Sequence, residues 1–194
     1  MQEITEIASR LLCEMGYERT SVRDLAEATG MTKAGLYYYF QNKEELLYVI
    51  LDNYMDSLLQ GVASIEKQEP DPSRRLRRFI LFQVDLYCRD MHRSKLIIHD
   101  ENCLSGEWLR TIKDKQRSYL VYWKRALDAY CQKKGIDLPY PSAHAMILIG
   151  MCNWIYQWYS PQGDLRPEVL AELIYQRFLH GLRAPLSPNP LGSL

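Results

Sequence analysis

Residues 20–40 read TSVRDLAEATGMTKAGLYYYF, and the order of polar and apolar residues in this stretch decides the fold. Ser21 and Asp24 stand three apart, the spacing of a capping box, and Val22, Leu25 and Ala26 supply an apolar stripe that stops before Gly30. Thr32 then caps another short helix that runs to Phe40. Ala26 lets two helices approach closely, and Gly30 takes the positive φ that a tight turn between them needs. The pattern predicts a helix-turn-helix in which Leu25 and Ala26 pack against Leu36.

The three consecutive tyrosines then need a use. Leu36 and Phe40 are four residues apart and hold the helix to its core, so Tyr37 and Tyr38 point away and Tyr39 lies near the boundary. Exposed tyrosines suit DNA, since the hydroxyls bond to phosphates and the rings pack on sugars and thymine methyl groups. The alternative is that all three pack on neighbouring helices. Gly35 costs such a helix about 1 kcal/mol relative to alanine, a cost that close approach of a DNA backbone or base edge would explain. Lys33 and Lys43 open the third and fourth helices, where they meet either phosphate, a guanine edge or plain solvent. Residues 1–43 nevertheless carry five basic residues (Arg10, Arg19, Arg23, Lys33, Lys43) against six acidic ones (Glu3, Glu6, Glu14, Glu18, Asp24, Glu27). DNA binding here requires the basic residues to share a face, with backbone amides at helix starts adding to them.

Outward from this stretch the chain reads as helix after helix. Ile4, Ile7, Ala8, Leu11 and Leu12 recur at helical spacing ahead of Gly16. Asn42 and Glu45 repeat the cap signal before a long fourth helix carrying Leu47, Ile50, Leu51, Tyr54, Leu58 and Val62. EPDPS, residues 69–73, breaks the pattern, and further helices are predicted over 73–90, 93–103, 105–134, 141–159 and 166–180. No alternating strand pattern interrupts them, so the fold class is all-α. The last residues, APLSPNPLGSL, are rich in proline, serine and glycine and read as a disordered tail.

With 47% hydrophobic and 25% charged residues the composition is that of a globular protein, and the zero net charge gives no global sign of nucleic acid. The amino terminus is acidic and polar and no apolar run reaches membrane-span length, so neither a signal peptide nor a membrane helix is indicated and a cytoplasmic location is expected. The five cysteines form no C-x-x-C pair, and they read as buried free thiols. HDEN, residues 99–102, is the one cluster with acid-base or metal-ligating groups, but consecutive positions diverge around a helix and no catalytic motif accompanies them. Neither an enzyme nor a cofactor is expected.

The second half carries signs of a ligand pocket. Residues 109, 112, 116, 119, 123, 126, 127 and 130 form an inward stripe on the long helix, with Gln116 its one polar member. A buried glutamine needs partners. It faces either a pocket walled by Tyr119 and Trp123 or a neighbouring backbone. AHAMILIGMCNWIYQWY, residues 143–159, is apolar on nearly every face until Asn153, as expected of a helix covered on both sides, by a pocket and by a second subunit. Asn153, Trp154, Trp158 and Tyr87 complete the candidate pocket residues. Val169, Leu170, Leu173, Ile174 and Phe178 form a stripe suited to pairing with a symmetry mate. Residues 110–134 hold eight Lys/Arg against Asp114 and Asp128, and RRLRR, residues 74–78, is basic too; these are either solvated faces or the mouth of a pocket for a phosphorylated or carboxylated ligand.

ITEIASRLLCEMGYERTSVRDLAEATGMTKAGLYYYFQNKEELL, residues 4–47, resembles the amino-terminal segment of the TetR family of bacterial transcriptional repressors. The resemblance implies a homodimer whose paired recognition helices enter successive major grooves of a palindromic operator, and the apolar surface of the last two helices is where the two subunits are expected to join. It assigns Ser21 and Arg23 to DNA contacts at the start of the second helix, the run Thr32, Lys33, Ala34, Gly35, Tyr37, Tyr38 and Tyr39 to the recognition helix, and Lys43 to a phosphate. Tyr39 departs from the histidine common in the family, and the chain starts almost at its first helix, without the basic arm some members use. NWIYQWYSPQGDLRPEVLAELI, residues 153–174, looks like the equivalent segment of TetR-type regulators of fatty-acid and sterol degradation, whose effectors are acyl-CoA thioesters. The expected organisation is a DNA-binding domain over 1–46, an effector-binding and dimerisation domain over 47–183, and a tail over 184–194. The expected function is repression relieved by a small-molecule effector, an acyl-CoA or related lipid metabolite. An efflux regulator responding to drug-like aromatic ligands, or a DNA-binding protein that needs no ligand, are the alternatives.

Overall fold

Ser21 opens a helix in the way its spacing with Asp24 predicts. Its hydroxyl accepts from the Asp24 backbone N–H, while the Asp24 carboxylate accepts from the Ser21 N–H at 2.8 Å. The computed structural model describes residues 1–183, and among them all regular structure is helical: α1 (Gln2–Met15), α2 (Val22–Ala28), α3 (Lys33–Tyr39), α4 (Lys43–Gln68), α5 (Pro72–Arg89), α6 (Met91–His99), α7 (Gly106–Lys134), α8 (Pro141–Asn153), α9 (Ile155–Trp158) and α10 (Pro167–Arg183). A single 3₁₀ turn, Glu101–Cys103, joins α6 to α7. The predicted tail, 184–194, lies outside the described residues.

The local signals act where the sequence puts them. Gly16 ends α1 with φ at 85°, and Gly30 makes the α2–α3 turn with φ at 66°. Thr32 accepts from the Gly35 N–H at 3.0 Å and Asn42 from the Glu45 N–H at 2.8 Å. Asp71 caps α5, with Pro72 in the first turn where no N–H is missed. Gly135, left-handed at φ 65°, closes α7.

Packing follows the apolar stripes. Ala8, Leu12, Leu25, Leu36 and Phe40 are buried together with Leu46, Leu47 and Ile50, so the start of α4 is part of the core of the amino-terminal helices. The rest of α4 buries Leu51, Tyr54, Met55, Leu58, Val62 and Ile65 beneath α5 and α7. Each such side chain contributes about 1.5–3 kcal/mol of burial free energy. Gly61 sits where α5 crosses: a Cβ there would stand 2.0 Å from Cζ of Phe82, so the missing side chain sets how closely these helices approach.

Two expectations change. The helix predicted over 141–159 breaks at Trp154, whose N–H bonds back to Gly150 while the Asn153 side chain is held by α5. The chain turns there into α9. The basic excess of α7 is also not simply solvated, because five of its eight cations are paired with acids: Lys113 with Glu101, Lys115 with Asp52 and Asp56, Arg117 with Asp114, Arg125 with Glu66, and Lys133 with Asp71. Three of these acids lie on α4, so α4 and α7 are joined by charge as well as by apolar contact.

Candidate nucleic-acid interface and ligand cavity

Helix α3 is held by one edge. Leu36 and Phe40 are each 3% exposed, whereas Tyr37 is 50%, Tyr38 84% and Tyr39 43% exposed. Ser21, Arg23, Thr32, Lys33 and Ala34 lie exposed on the surface around it, and Gly35 is half-buried. The Tyr38 and Tyr39 rings meet edge to face at 5.2 Å, leaving the three hydroxyls on the surface. Gly35 has a local reason to lack a side chain that the sequence did not reveal: a Cβ would lie 3.3 Å from the capping hydroxyl of Thr32 and 3.4 Å from the Met31 methyl. Lys43 points back into the protein. Its ammonium donates to the carbonyl oxygens of Tyr17 and Thr20 at 2.8 and 3.1 Å.

Between α4, α5, α6, α7 and α8 lies a cavity of about 480 Å³. Its walls include Met55, Leu58, Ile97, Leu120, Met146 and Ile149, and four of the expected pocket residues line it: Tyr87, Gln116, Tyr119 and Asn153. Four of its polar side chains form one network. Tyr119 donates to the Gln83 side-chain oxygen, Gln83 Nε2 donates to Asn153 Oδ1 at 3.1 Å, and the Tyr87 hydroxyl donates to the same Oδ1 at 2.8 Å. Burial pushes the Tyr87 and Tyr119 hydroxyls well above the ordinary tyrosine value, so both stay protonated donors. Asn153 Oδ1 accepts twice, and its amide nitrogen remains to donate to whatever occupies the cavity.

The three tryptophans expected at the pocket are placed elsewhere. Trp123 is fully buried behind Tyr119 and Phe79, edge to face with both, and does not line the cavity. Trp154 and Trp158 are 61% and 51% exposed, because the break after Asn153 rotates them off the inward face of α8. Sequence reasoning missed Gln83, which is 1% exposed. Its signal was present: Gln83 is the polar position in the stripe Leu76, Phe79, Ile80, Val84 and Tyr87, the same exception that singled out Gln116. Lys113 and Arg117, two of the 110–134 cations read as either solvated or at a pocket mouth, line the cavity, and Glu101, which the sequence did not place at a pocket, lines it beside them. Only tertiary contact brings Glu101 to that face of α7.

The HDEN cluster disperses as its spacing implies. His99 bonds to the Tyr156 hydroxyl, while Glu101 turns to α7, accepting from Lys113 and from Gln116 at 2.5 Å each. No group of three or more metal-ligating side chains occurs among the described residues. No described helix is long and apolar enough to cross a membrane.

Comparison with known proteins agrees with this geometry. Residues 4–49 match the family described as bacterial regulatory proteins, tetR family, and residues 69–182 match the Tetracyclin repressor-like, C-terminal domain. The HTH-type transcriptional repressor KstR2 of Mycobacterium tuberculosis is 24% identical over 189 residues, covering 93% of this chain and 91% of that protein. Among solved structures, AibR in complex with isovaleryl coenzyme A and operator DNA is 34% identical, covers 91% of this chain and 96% of its own, and superposes with a TM-score of 0.81. PfmR from Thermus thermophilus is 28% identical, covers 93% and 99%, and has a TM-score of 0.85. This chain belongs to the TetR family of bacterial regulatory proteins and is a helix-turn-helix transcriptional repressor, not an enzyme.

Proposed function

We propose that this repressor binds a palindromic operator as a homodimer, with the α3 helices in successive major grooves, and that an acyl-CoA thioester in the cavity releases it. Residues 1–46 form the DNA-binding unit and 47–183 the effector and dimer unit, acting in the cytoplasm. The observation that carries the effector reading is the cavity itself: apolar walls for an acyl chain around a neutral polar floor of Tyr87, Gln83, Tyr119 and Asn153. A donor amide at that floor suits a carbonyl oxygen, such as that of a thioester. The similarity to AibR, solved with isovaleryl coenzyme A and operator DNA, favours the same ligand class.

The dimer reading rests on surface left uncovered in one protomer. Met146, Ile147 and Met151 on α8 and Val169 and Leu173 on α10 are exposed, and Trp154 and Trp158 extend the apolar surface. Two recognition helices must sit about 34–36 Å apart to read adjacent grooves. A ligand that prefers a dimer of another spacing therefore releases DNA, to the extent of its differential affinity for the two states. Helix α4 carries the change, since it is buried among the amino-terminal helices at Leu46 and lines the cavity at Met55 and Leu58.

Calorimetry with acyl-CoA thioesters from isovaleryl upward, repeated with an operator selected from a random duplex pool, tests both halves. Thioester binding that weakens operator affinity is the expected result. Binding without that loss removes the switch, and no binding by any thioester would favour a drug-like aromatic effector instead.

A further inference from the structure

A carboxylate of the chain itself occupies the donors at the edge of the cavity. Glu101 lines the cavity beside Lys113 and Gln116. One of its oxygens is 2.5 Å from Lys113 Nζ and the other accepts from Gln116 Nε2, while its side chain is only 13% exposed. A cation and an amide donor facing a ligand cavity are thus filled from within.

Glu101 is also the first residue of the turn that leads into α7. Ser105, at the N-cap of α7, makes no cap with its own side chain. Its backbone N–H and its hydroxyl instead both donate to Glu44 Oε1, at 2.7 and 2.8 Å. Glu44 lies in the first turn of α4, next to the Lys43 that is bonded to Tyr17 and Thr20. A short bonded path therefore runs from the cavity through the 101–105 turn to the start of α4 and the segment preceding the helix-turn-helix.

We propose that Glu101 is a displaceable internal anion: a ligand bearing a carboxylate or phosphate takes Lys113 and Gln116, expels Glu101, and loosens the 101–105 turn from Glu44. This deepens the effector reading above and rests on it for the ligand class. Displacement follows from competition for one set of charge-assisted donors, since a part-buried carboxylate stripped of its partners must move toward water. A neutral ligand of similar shape fills the cavity without releasing DNA.

The test uses the full chain and two variants, Glu101→Gln and Lys113→Met, with Glu107→Gln, an exposed acid in the first turn of α7, as a charge control. Without ligand, both variants should bind the selected operator about fivefold or more weakly, while Glu107→Gln binds as wild type. Toward isovaleryl-CoA, free isovalerate and CoA alone, Glu101→Gln should bind more tightly and Lys113→Met more weakly, opposite signs that a general loss of packing would not produce. A gain with isovalerate identifies the carboxylate as the displacing group, and a gain only with the CoA-bearing probes identifies phosphate. Wild-type operator affinity in Glu101→Gln overturns the latch whether or not any probe binds, and unchanged or parallel ligand affinities overturn the displacement. Loss of operator affinity in both variants, with no thioester bound by wild type, supports the latch and rejects the thioester as its ligand.

Discussion

Lys43 lies over the ring of Tyr17, its ammonium 4.1 Å from the ring centroid and 2.8 Å from the Tyr17 carbonyl oxygen. With the further bond to Thr20, this cation fastens the first turn of α4 to the segment between α1 and α2. The family resemblance assigns Lys43 to a phosphate; in this structure its donors are directed inward.

Lys43→Ala should therefore lower stability as well as operator affinity. Two charge-assisted bonds and a cation–π contact at a half-buried site are together worth about 1–3 kcal/mol. Thermal or urea unfolding measures it. A variant with wild-type stability and reduced operator affinity would return Lys43 to the role of a simple phosphate contact.

Tyr38→Ala should lower operator affinity alone. At 84% exposure its removal changes stability by no more than about 0.5 kcal/mol, while loss of a groove or phosphate contact costs operator binding about 1 kcal/mol or more. Fluorescence anisotropy with the selected duplex checks this, and undiminished affinity would remove Tyr38 from the interface.

The dimer is best tested at Leu173 and Ile147, which are both exposed in one protomer. Phe178, expected from its spacing to join the same pairing stripe, is 7% exposed and packs within its own subunit, so truncating it costs about 3–5 kcal/mol of folding stability and says nothing about assembly. The double variant Ile147→Lys, Leu173→Glu should sediment as a folded monomer with weakened operator binding. An unchanged dimer would place the interface elsewhere.

Acid should release the tie between the start of α5 and the end of α7. A hydrogen bond from Lys133, and then the Arg74 backbone N–H, hold the Asp71 carboxyl down at about 2, below its ordinary 3.8. The folded value lies below the unfolded one, so the contribution is present in full above about pH 4 and lost as the pH falls toward 2. Asp71→Asn should be less stable than wild type at neutral pH, and the gap should close across that window. A gap independent of pH would show that the charge of Asp71 contributes nothing.

The candidate DNA surface was legible in the sequence and the candidate cavity only in part, for a physical reason. The exposed face of α3 follows from Leu36 and Phe40 four residues apart, and the helix starts follow from Ser21, Thr32 and Asn42, because helical periodicity and capping act within a few residues. Tyr87, Gln116, Tyr119 and Asn153 reached the cavity because a polar or amphipathic residue on an apolar stripe must face something. Which partner it faces is a matter of tertiary packing. Gln83 meets Asn153 across 70 positions of sequence and Ser105 meets Glu44 across 61, and no local pattern encodes either bond. The break at Trp154 likewise turned two tryptophans outward against their spacing. The sequence by itself determined an all-α chain with a helix-turn-helix, exposed tyrosines and polar exceptions on apolar helices. Only the packing of α4, α5, α7 and α8 against one another decided which of those exceptions share a cavity, and which cations face acids rather than solvent.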